Sequence, residues 1–149
     1  MTHAVVTADS LTGALDRLVD RVRGAEFAVV LSPDGLPLGS SRRVEAKLAE
    51  QISGVVAGLL ALGLAATRTC DAGGLRQIVV QMSRAFLFVA TIGNGTILTV
   101  RIAGDETEVG DMAYEVALFV GQAERHLPIT LSPASAARSG ESGAQRQLR

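Results

Sequence analysis

The stretch "QISGVVAGLLALGLAAT" at residues 51–67 carries no charged side chain and is built mainly from Leu, Ala, Val and Gly. As an α-helix it would be roughly 26 Å long, which is shorter than the ~30 Å hydrocarbon core of a bilayer. Glu50 and Arg68 bound it closely, and neither end carries a Trp or Tyr. Its length and boundaries therefore favour a helix packed against protein over a membrane span.

The arrangement of residues around this helix predicts two faces of different character. At about 100° per residue, the bulky side chains share one face, which we expect to pack on a sheet: Leu48, Ile52, Val56, Leu59 and, at its margin, Leu62. The opposite face is stripped of bulk and is made of Gly54, Gly58, Ala61 and Ala65. Each helical glycine costs about 1 kcal/mol relative to alanine, so a compensating close contact is expected. That contact is with another helix of the same chain or with a second copy. The second copy is favoured because the other two predicted helices each have a single apolar stripe, used by the opposite sheet face.

The segments around the long helix alternate between helical and strand patterns. Helices are predicted at residues 9–22, 42–68 and 104–127, and strands at 25–31, 36–41, 75–82, 85–92 and 96–102. The turn signals are "SPDG" at 32–35, "CDAGG" at 70–74 and the pair Asn94-Gly95. Pro37 suits an edge strand, whereas 85–92 is apolar on both faces and suits an interior one. The order α-β-β-α-β-β-β-α predicts an α+β fold: a five-stranded antiparallel sheet with one long helix on one face and two helices on the other.

Composition and charge limit the classes of function. The chain has 149 residues, 48% of them hydrophobic, with a net charge of −1 and no Trp. This balance speaks against nucleic acid and against an anionic membrane surface as partners. A single cysteine, Cys70, and an N-terminus without signal-peptide character predict a cytoplasmic protein. We expect a flexible leader at 1–9, one domain at 10–128 and a disordered tail at 129–149.

The motifs that carry enzymatic chemistry are missing from the sequence. It contains no P-loop pattern and no spacing of His, Cys and carboxylates suited to a metal ion. Cys70, Asp71 and His126 could form a nucleophile site, but a cysteine that ends a helix lacks the electropositive surroundings that activate a thiol. We therefore expect no catalytic residue, no cofactor and no metal. Arg68 and Arg76 flank the 70–74 loop and are the candidate contacts for a phosphate-bearing partner.

Five stretches together resemble the bacterial roadblock/LC7 family, particularly actinobacterial members encoded beside small Ras-like GTPases. They are "LDRLVDRVRGAEFAVVLSPDGLPLGSS", "QISGVVAGL", "GGLRQIVVQM", "FLFVATIGNGTILTV" and "VGDMAYEVALFVGQAERHL", in family order over roughly residues 11–128. The resemblance implies a homodimer whose long helices lie antiparallel and whose following strands pair into one continuous sheet. Carried onto this chain, the interface would comprise Gly54, Gly58, Ala61, Ala65, Leu75, Gln77, Val79 and Gln81.

The resemblance also implies a function without chemistry of its own. It predicts a regulator or GTPase-activating partner of a Ras-like small GTPase. The alternative is a non-catalytic scaffold that joins a histidine kinase-like sensor complex and leaves GTP hydrolysis unchanged. A third interpretation, a sensor domain that holds a small ligand against the sheet, requires a ligand-sized cavity, whereas the apolar sheet faces predict full packing.

Overall fold

The computed structural model describes residues 8–92 and 95–104, together with Tyr114, Ala117, Leu118 and Gly121. Its helices and strands, in chain order, are α1 (Ala8–Arg21), β1 (Ala25–Leu31), β2 (Pro37–Ser40), α2 (Ala46–Cys70), β3 (Gln77–Gln81), β4 (Ala85–Ile92) and β5 (Thr96–Ala103). The bounds predicted for β1 and β4 are confirmed. α2 begins at Ala46 rather than at residue 42. α1 begins at Ala8, so its first residues overlap the segment that was expected to be a flexible leader.

The five strands form one antiparallel sheet in the order β2-β1-β5-β4-β3. β2 and β3 are therefore the two edge strands. Pro37 begins β2, which confirms the prediction that its missing N–H would place this segment at an edge. β4 lies inside the sheet and is buried along nearly its whole length, as its apolar sequence predicted.

α1 and α2 cover opposite faces of the sheet, because alternate side chains of each strand point to opposite sides. On the α1 side the buried core includes Leu11, Leu15, Phe86 and Phe88. On the α2 side the core consists of Val29, Leu31, Val56, Leu60, Leu87, Val89 and Ile97. The α+β architecture predicted from the order of elements is confirmed.

The third predicted helix, at 104–127, lies mostly outside the described residues. Tyr114, Ala117, Leu118 and Gly121 are helical, and Tyr114 and Leu118 are exposed. The predicted tail at 129–149 and most of the predicted leader also lie outside the described residues, so these boundaries stay predictions.

The β1–β2 turn lies against α2. Gly35 has a φ of +90° and its N–H donates to the carbonyl of Ser32 at 2.9 Å. A side chain at Gly35 would meet the Cβ of Ala57 at 3.3 Å and the carbonyl of Ser53 at 3.6 Å. Glycine is thus needed here both for its backbone conformation and for the close approach of the helix.

Candidate functional site: the flank of α2 and the free edge of β3

α2 crosses its face of the sheet obliquely, and two glycine contacts show how it is oriented. Near its middle, α2 lies beside the β1–β2 turn, where Gly35 approaches Gly54 and Ala57. Farther along, a Cβ at Gly63 would lie 2.9 Å from Leu75 Cδ2 and 3.0 Å from Ile78 Cδ1. One flank of the helix therefore faces β1 and β2, and the other faces the edge strand β3.

The residues that α2 buries are not all the ones expected. Its buried positions are Ala49, Ser53, Val56 and Leu60. Leu48 is 39% exposed and Leu62 is 72% exposed, so the prediction that both face the sheet is wrong. The physical reason is size: Ala49 and Ser53 allow the helix to lie close to the strands, and this rotates the leucines out to the side.

The small-residue face predicted from the sequence lies away from the described core. Gly54, Gly58 and Ala61 are exposed and Ala65 is half-buried. A Cβ added at Gly54 or Gly58 would meet nothing within 4 Å. Among the described residues this face has no intramolecular helix packed into it, so the intramolecular explanation for its small residues finds no support there.

A second apolar surface runs along the flank of α2 that faces β3. We call it the flank stripe; its members are Leu48, Ile52, Val55, Leu59, Leu62 and Ala66. Ile52 and Leu59 are half-buried against the α2-side core, whereas Val55 is 57% exposed and Leu62 is 72% exposed. The stripe thus extends from the α2-side core to exposed positions of the helix.

The edge strand β3 lies next to this stripe and leaves one side of its backbone without a strand partner among the described residues. Its side chains alternate, with Ile78 and Val80 packed towards α2. The side chains of Gln77, Val79 and Gln81 point to the other face and are exposed. Leu75, which precedes the strand, packs on α2 beneath Gly63. The structure therefore brings the predicted strand residues to the edge, but the Leu75 side chain belongs to the helix contact.

The hydrogen-bond pattern shows which backbone groups of β3 point outward. The Met82 N–H donates to the Ala85 carbonyl at 2.8 Å, which makes these two a hydrogen-bonded pair. In an antiparallel ladder such pairs alternate with non-hydrogen-bonded ones. With the register Gln81↔Phe86 to Gln77↔Ala90, the groups of Ile78 and Val80 therefore point to β4. The backbone N–H and C=O groups of the remaining strand residues, Gln77, Val79 and Gln81, point away from β4.

The candidate polar contacts lie near the C-terminal end of α2. Arg68 is in its last turn and Arg76 immediately precedes β3, and both are exposed. Between them Cys70 ends the helix, and Asp71 takes the left-handed conformation with a φ of 49°. Within residues 8–92 and 95–104 and the few described positions beyond, no group of His, Cys, Asp and Glu is placed to hold a metal ion.

By length and composition alone, α2 is able to cross a membrane, with a mean hydropathy of 1.7 over its most apolar 18-residue window. A core helix of a soluble protein meets the same criterion. α2 packs with Val56 and Leu60 on the sheet, which accounts for part of its apolar character. The rest belongs to the flank stripe and the small-residue face.

A cleft of about 510 Å³ lies on the other side of the molecule, beside α1. Its lining includes Asp16 and Glu26, and each is paired with an arginine. Asp16 contacts Arg42 at 3.1 Å, and Glu26 accepts from Nε of Arg101 at 2.8 Å. The Asp16–Arg42 contact joins α1 to the loop that follows β2, whereas the Glu26–Arg101 contact joins β1 to β5.

The five-stranded antiparallel sheet, with α1 on one face and the oblique α2 on the other, defines a small α+β domain. The chain matches the model of the Roadblock/LC7 domain over residues 11–101, and it belongs to this family. It is similar to a Roadblock/LC7 domain from Streptomyces avermitilis at 35% identity, with a TM-score of 0.70 over 78% of this chain and 96% of that one. No curated protein matches the sequence.

More distant structures share the fold. Myxococcus xanthus MglB is 12% identical, with a TM-score of 0.69 over 77% of this chain and 92% of its own. The gliding protein MglB from Thermus thermophilus is 16% identical, with a TM-score of 0.65 over 84% and 96% of the two chains. The structural match extends over nearly the full length of each of these relatives.

Sequence reasoning missed the flank stripe as a surface, although a signal for it was present. Its members follow one another at alternating intervals of four and three residues, the spacing of a helix seam that meets another helix. The expectation that the face of α2 with the bulkiest apolar residues packs on the sheet assigned Leu48 and Leu62 to that face. The buried Ser53 could not be foreseen from that ranking, and it is this residue that marks the true sheet-facing side.

Proposed function

We propose that this protein is a cytoplasmic, homodimeric regulator of a bacterial Ras-like small GTPase, with no catalytic residues of its own. The observation that carries the proposal is the exposed apolar flank of α2 beside the edge strand β3, which has one strand neighbour among the described residues. Both features favour association, because an edge strand and exposed apolar side chains are stabilised by contact with a partner. Membership of the Roadblock/LC7 family supports the GTPase as the kind of partner.

Two surfaces of the chain support the homodimer. An edge strand gains most from another strand of similar length, and an apolar helix flank gains most from a second helix. A second copy supplies both at once in the matching relative position. A GTPase would then bind the assembled pair, with Arg68 and Arg76 as candidate contacts because both guanidinium groups are exposed.

The test is GTP hydrolysis by a bacterial Ras-like small GTPase, measured with and without the purified full-length protein. We expect complex formation and a changed hydrolysis rate. The matched variants are Arg68→Ala and Arg76→Ala, which remove exposed side chains and should weaken the complex without loss of fold. Absence of both binding and rate change would refute the proposal for that GTPase.

The same assay separates the alternative role. A scaffold that links a histidine kinase-like sensor complex would bind without altering the hydrolysis rate. The α2 and β3 surfaces support this alternative, because they offer a binding partner backbone hydrogen-bonding groups and apolar side chains. Capture of the sensor protein by the purified chain, with hydrolysis unchanged, would favour the scaffold.

A further inference from the structure

We propose that the cleft beside α1 binds an extended segment of a partner protein that carries a basic and an acidic side chain two positions apart. The cleft has a volume of about 510 Å³, within the range of about 300–1,000 Å³ that is common for binding pockets. It lies beside the start of β1, which is separated from β3 by two strands of the sheet. The described residues of its lining include none from α2 or β3, so this site is separate from the surfaces of the proposed function.

The first part of β1 has no strand beside it at the position where β2 would continue. Within the described residues, β2 pairs with β1 only from Val29 to Leu31, whereas β5 pairs with it as far as Ala25. Ala25 and Glu26 line the cleft, which therefore lies along the stretch of β1 that β2 does not reach. A short segment in extended conformation fits this position, because it can take the place of the missing part of β2.

Another wall of the cleft is formed where the chain leaves β2. Ser41 is buried, and its N–H donates to the Ala28 carbonyl at 2.9 Å while its Oγ accepts the Ala28 N–H at 3.0 Å. The next residue, Arg42, turns to α1, where its N–H donates to Oδ1 of Asp16 at 2.7 Å. These hydrogen bonds fix the wall before a ligand arrives, which lowers the entropy cost of binding.

Two exposed side chains of opposite charge in the lining, Asp20 and Arg43, make no ion pair within the described part of the chain. Asp20 lies in the last turn of α1, where the negative end of the helix disfavours a carboxylate, so helix stability does not account for it. A free carboxylate accepts hydrogen bonds from a guanidinium or ammonium group, and a free guanidinium donates to a carboxylate. The ligand that satisfies both carries one group of each sign.

The spacing of the two charges follows from the extended conformation of the ligand. In a β-strand the side chains at positions i and i+2 point to the same face, about 6.6 Å apart along the strand. One face of a short segment can therefore present a basic group to Asp20 and an acidic group to Arg43. Val19 and Ala25, which are half-buried against the α1-side core, offer apolar contact to the methylene groups of the basic side chain.

The binding site is tested by NMR titration of the full-length, isotope-labelled chain with the peptide acetyl-Thr-Arg-Val-Glu-Thr-amide. We expect saturable shift changes at the backbone amides of Asp20, Ala25 and Arg43. Replacing the arginine of the peptide by citrulline, which keeps its shape but not its charge, is expected to weaken binding by about three- to fivefold, the size of an exposed ion pair. Replacing the glutamate of the peptide by glutamine should weaken binding by a similar factor.

Matched variants assign each charge of the peptide to its contact in the cleft. In Asp20→Asn the arginine and citrulline peptides should bind equally, and in Arg43→Asn the glutamate and glutamine peptides should bind equally. Asn is chosen because Arg43 has a φ of 71°, a left-handed conformation that Asn tolerates. The control is Asp71→Asn, which removes the same charge from the end of α2, outside the cleft, and should leave the affinities for all three peptides unchanged.

Shift changes confined to the cleft, with this dependence on Asp20 and Arg43, would confirm the site. Absence of saturable changes in the wild-type chain, or equal binding of the arginine and citrulline peptides to it, would refute the proposal. Cleft signals that move on dilution of the chain without peptide would assign the cleft to a second copy. Signals beyond residue 128 that change in Asp20→Asn without peptide would assign it to the chain's own C-terminal segment, and either result overturns a partner protein as the occupant.

Discussion

Asp16 of α1 holds Arg42 by two separate contacts across 26 positions of chain. Its Oδ1 accepts the backbone N–H of Arg42 at 2.7 Å, and its Oδ2 lies 3.1 Å from the arginine Nε. The Arg42 side chain is 82% exposed, so its ion pair is screened by solvent and contributes little. The backbone hydrogen bond, which fixes the loop before α2, is the contact that matters.

Asp16→Ala should therefore lower the free energy of unfolding by about 1.5–3 kcal/mol, because it leaves the Arg42 N–H without its charged acceptor. Asp16→Asn retains an acceptor oxygen and Arg42→Ala retains the backbone bond, so each should cost less than about 1 kcal/mol. Urea unfolding of the three variants checks this order. An Arg42→Ala variant as unstable as Asp16→Ala would show that the ion pair is the dominant contact.

Gly39 in β2 should not tolerate a side chain, because α1 lies directly on it. A Cβ at Gly39 would lie 2.9 Å from Leu11 Cγ and closer still to Leu11 Cδ2. Gly39→Ala is expected to cost about 1–3 kcal/mol through overpacking. In a Leu11→Val background, which shortens the offending side chain, the cost should fall by at least about 0.5 kcal/mol in a double-mutant cycle. If the effects of Gly39→Ala and Leu11→Val on the free energy of unfolding simply add, the strain does not come from contact with Leu11.

Two glycines of α2 should respond oppositely to the same substitution. Gly63→Leu forces a side chain between the helix and β3 and is expected to destabilise the fold by about 1–3 kcal/mol. Gly54→Leu meets open space and gains helix propensity, so it should be neutral or stabilising by up to about 1 kcal/mol. Thermal and urea unfolding at a fixed protein concentration measure both. Equal effects would contradict the oblique placement of α2.

Two buried serines provide another matched pair. Ser41 Oγ accepts the Ala28 N–H at 3.0 Å, whereas Ser53 Oγ has no hydrogen-bond partner in the described part of the chain. Ser41→Ala should cost about 1–3 kcal/mol because it strands a buried N–H. Ser53→Ala removes an unsatisfied hydroxyl and should be neutral or stabilising. A clear loss of stability in Ser53→Ala would mean that its hydroxyl has a partner such as a bound water.

Local chemistry made several elements predictable. β1 and β4 have the bounds expected because β-branched and aromatic residues end at turn residues on at least one side, as at "SPDG". Pro37 predicted an edge strand because a missing donor excludes an interior position, and β2 is at the edge. These features depend on neighbours in sequence, which a single chain displays directly.

The orientation of α2 depended on information that its own sequence does not carry. Leu48 and Leu62 are as apolar as Leu60, and only the approach of β1 and β3 decides which of them is buried. Ala49 and Ser53 face the strands because their small size permits close packing. Whether such packing is possible depends on both the helix and the strands, and not on the helix sequence alone. The small-residue face could be recognised from the sequence, because it depends only on the spacing of residues in one helix. Its role in the interface stays a prediction.

The open edge of β3 has a consequence for a cell that makes several proteins of this fold. Backbone hydrogen bonds are nearly the same for every residue type, so the edges of different family members would accept one another almost indiscriminately. If such edges pair, the choice of partner would have to come from side chains next to the edge, and the exposed Val55 and Leu62 of α2 are the candidates.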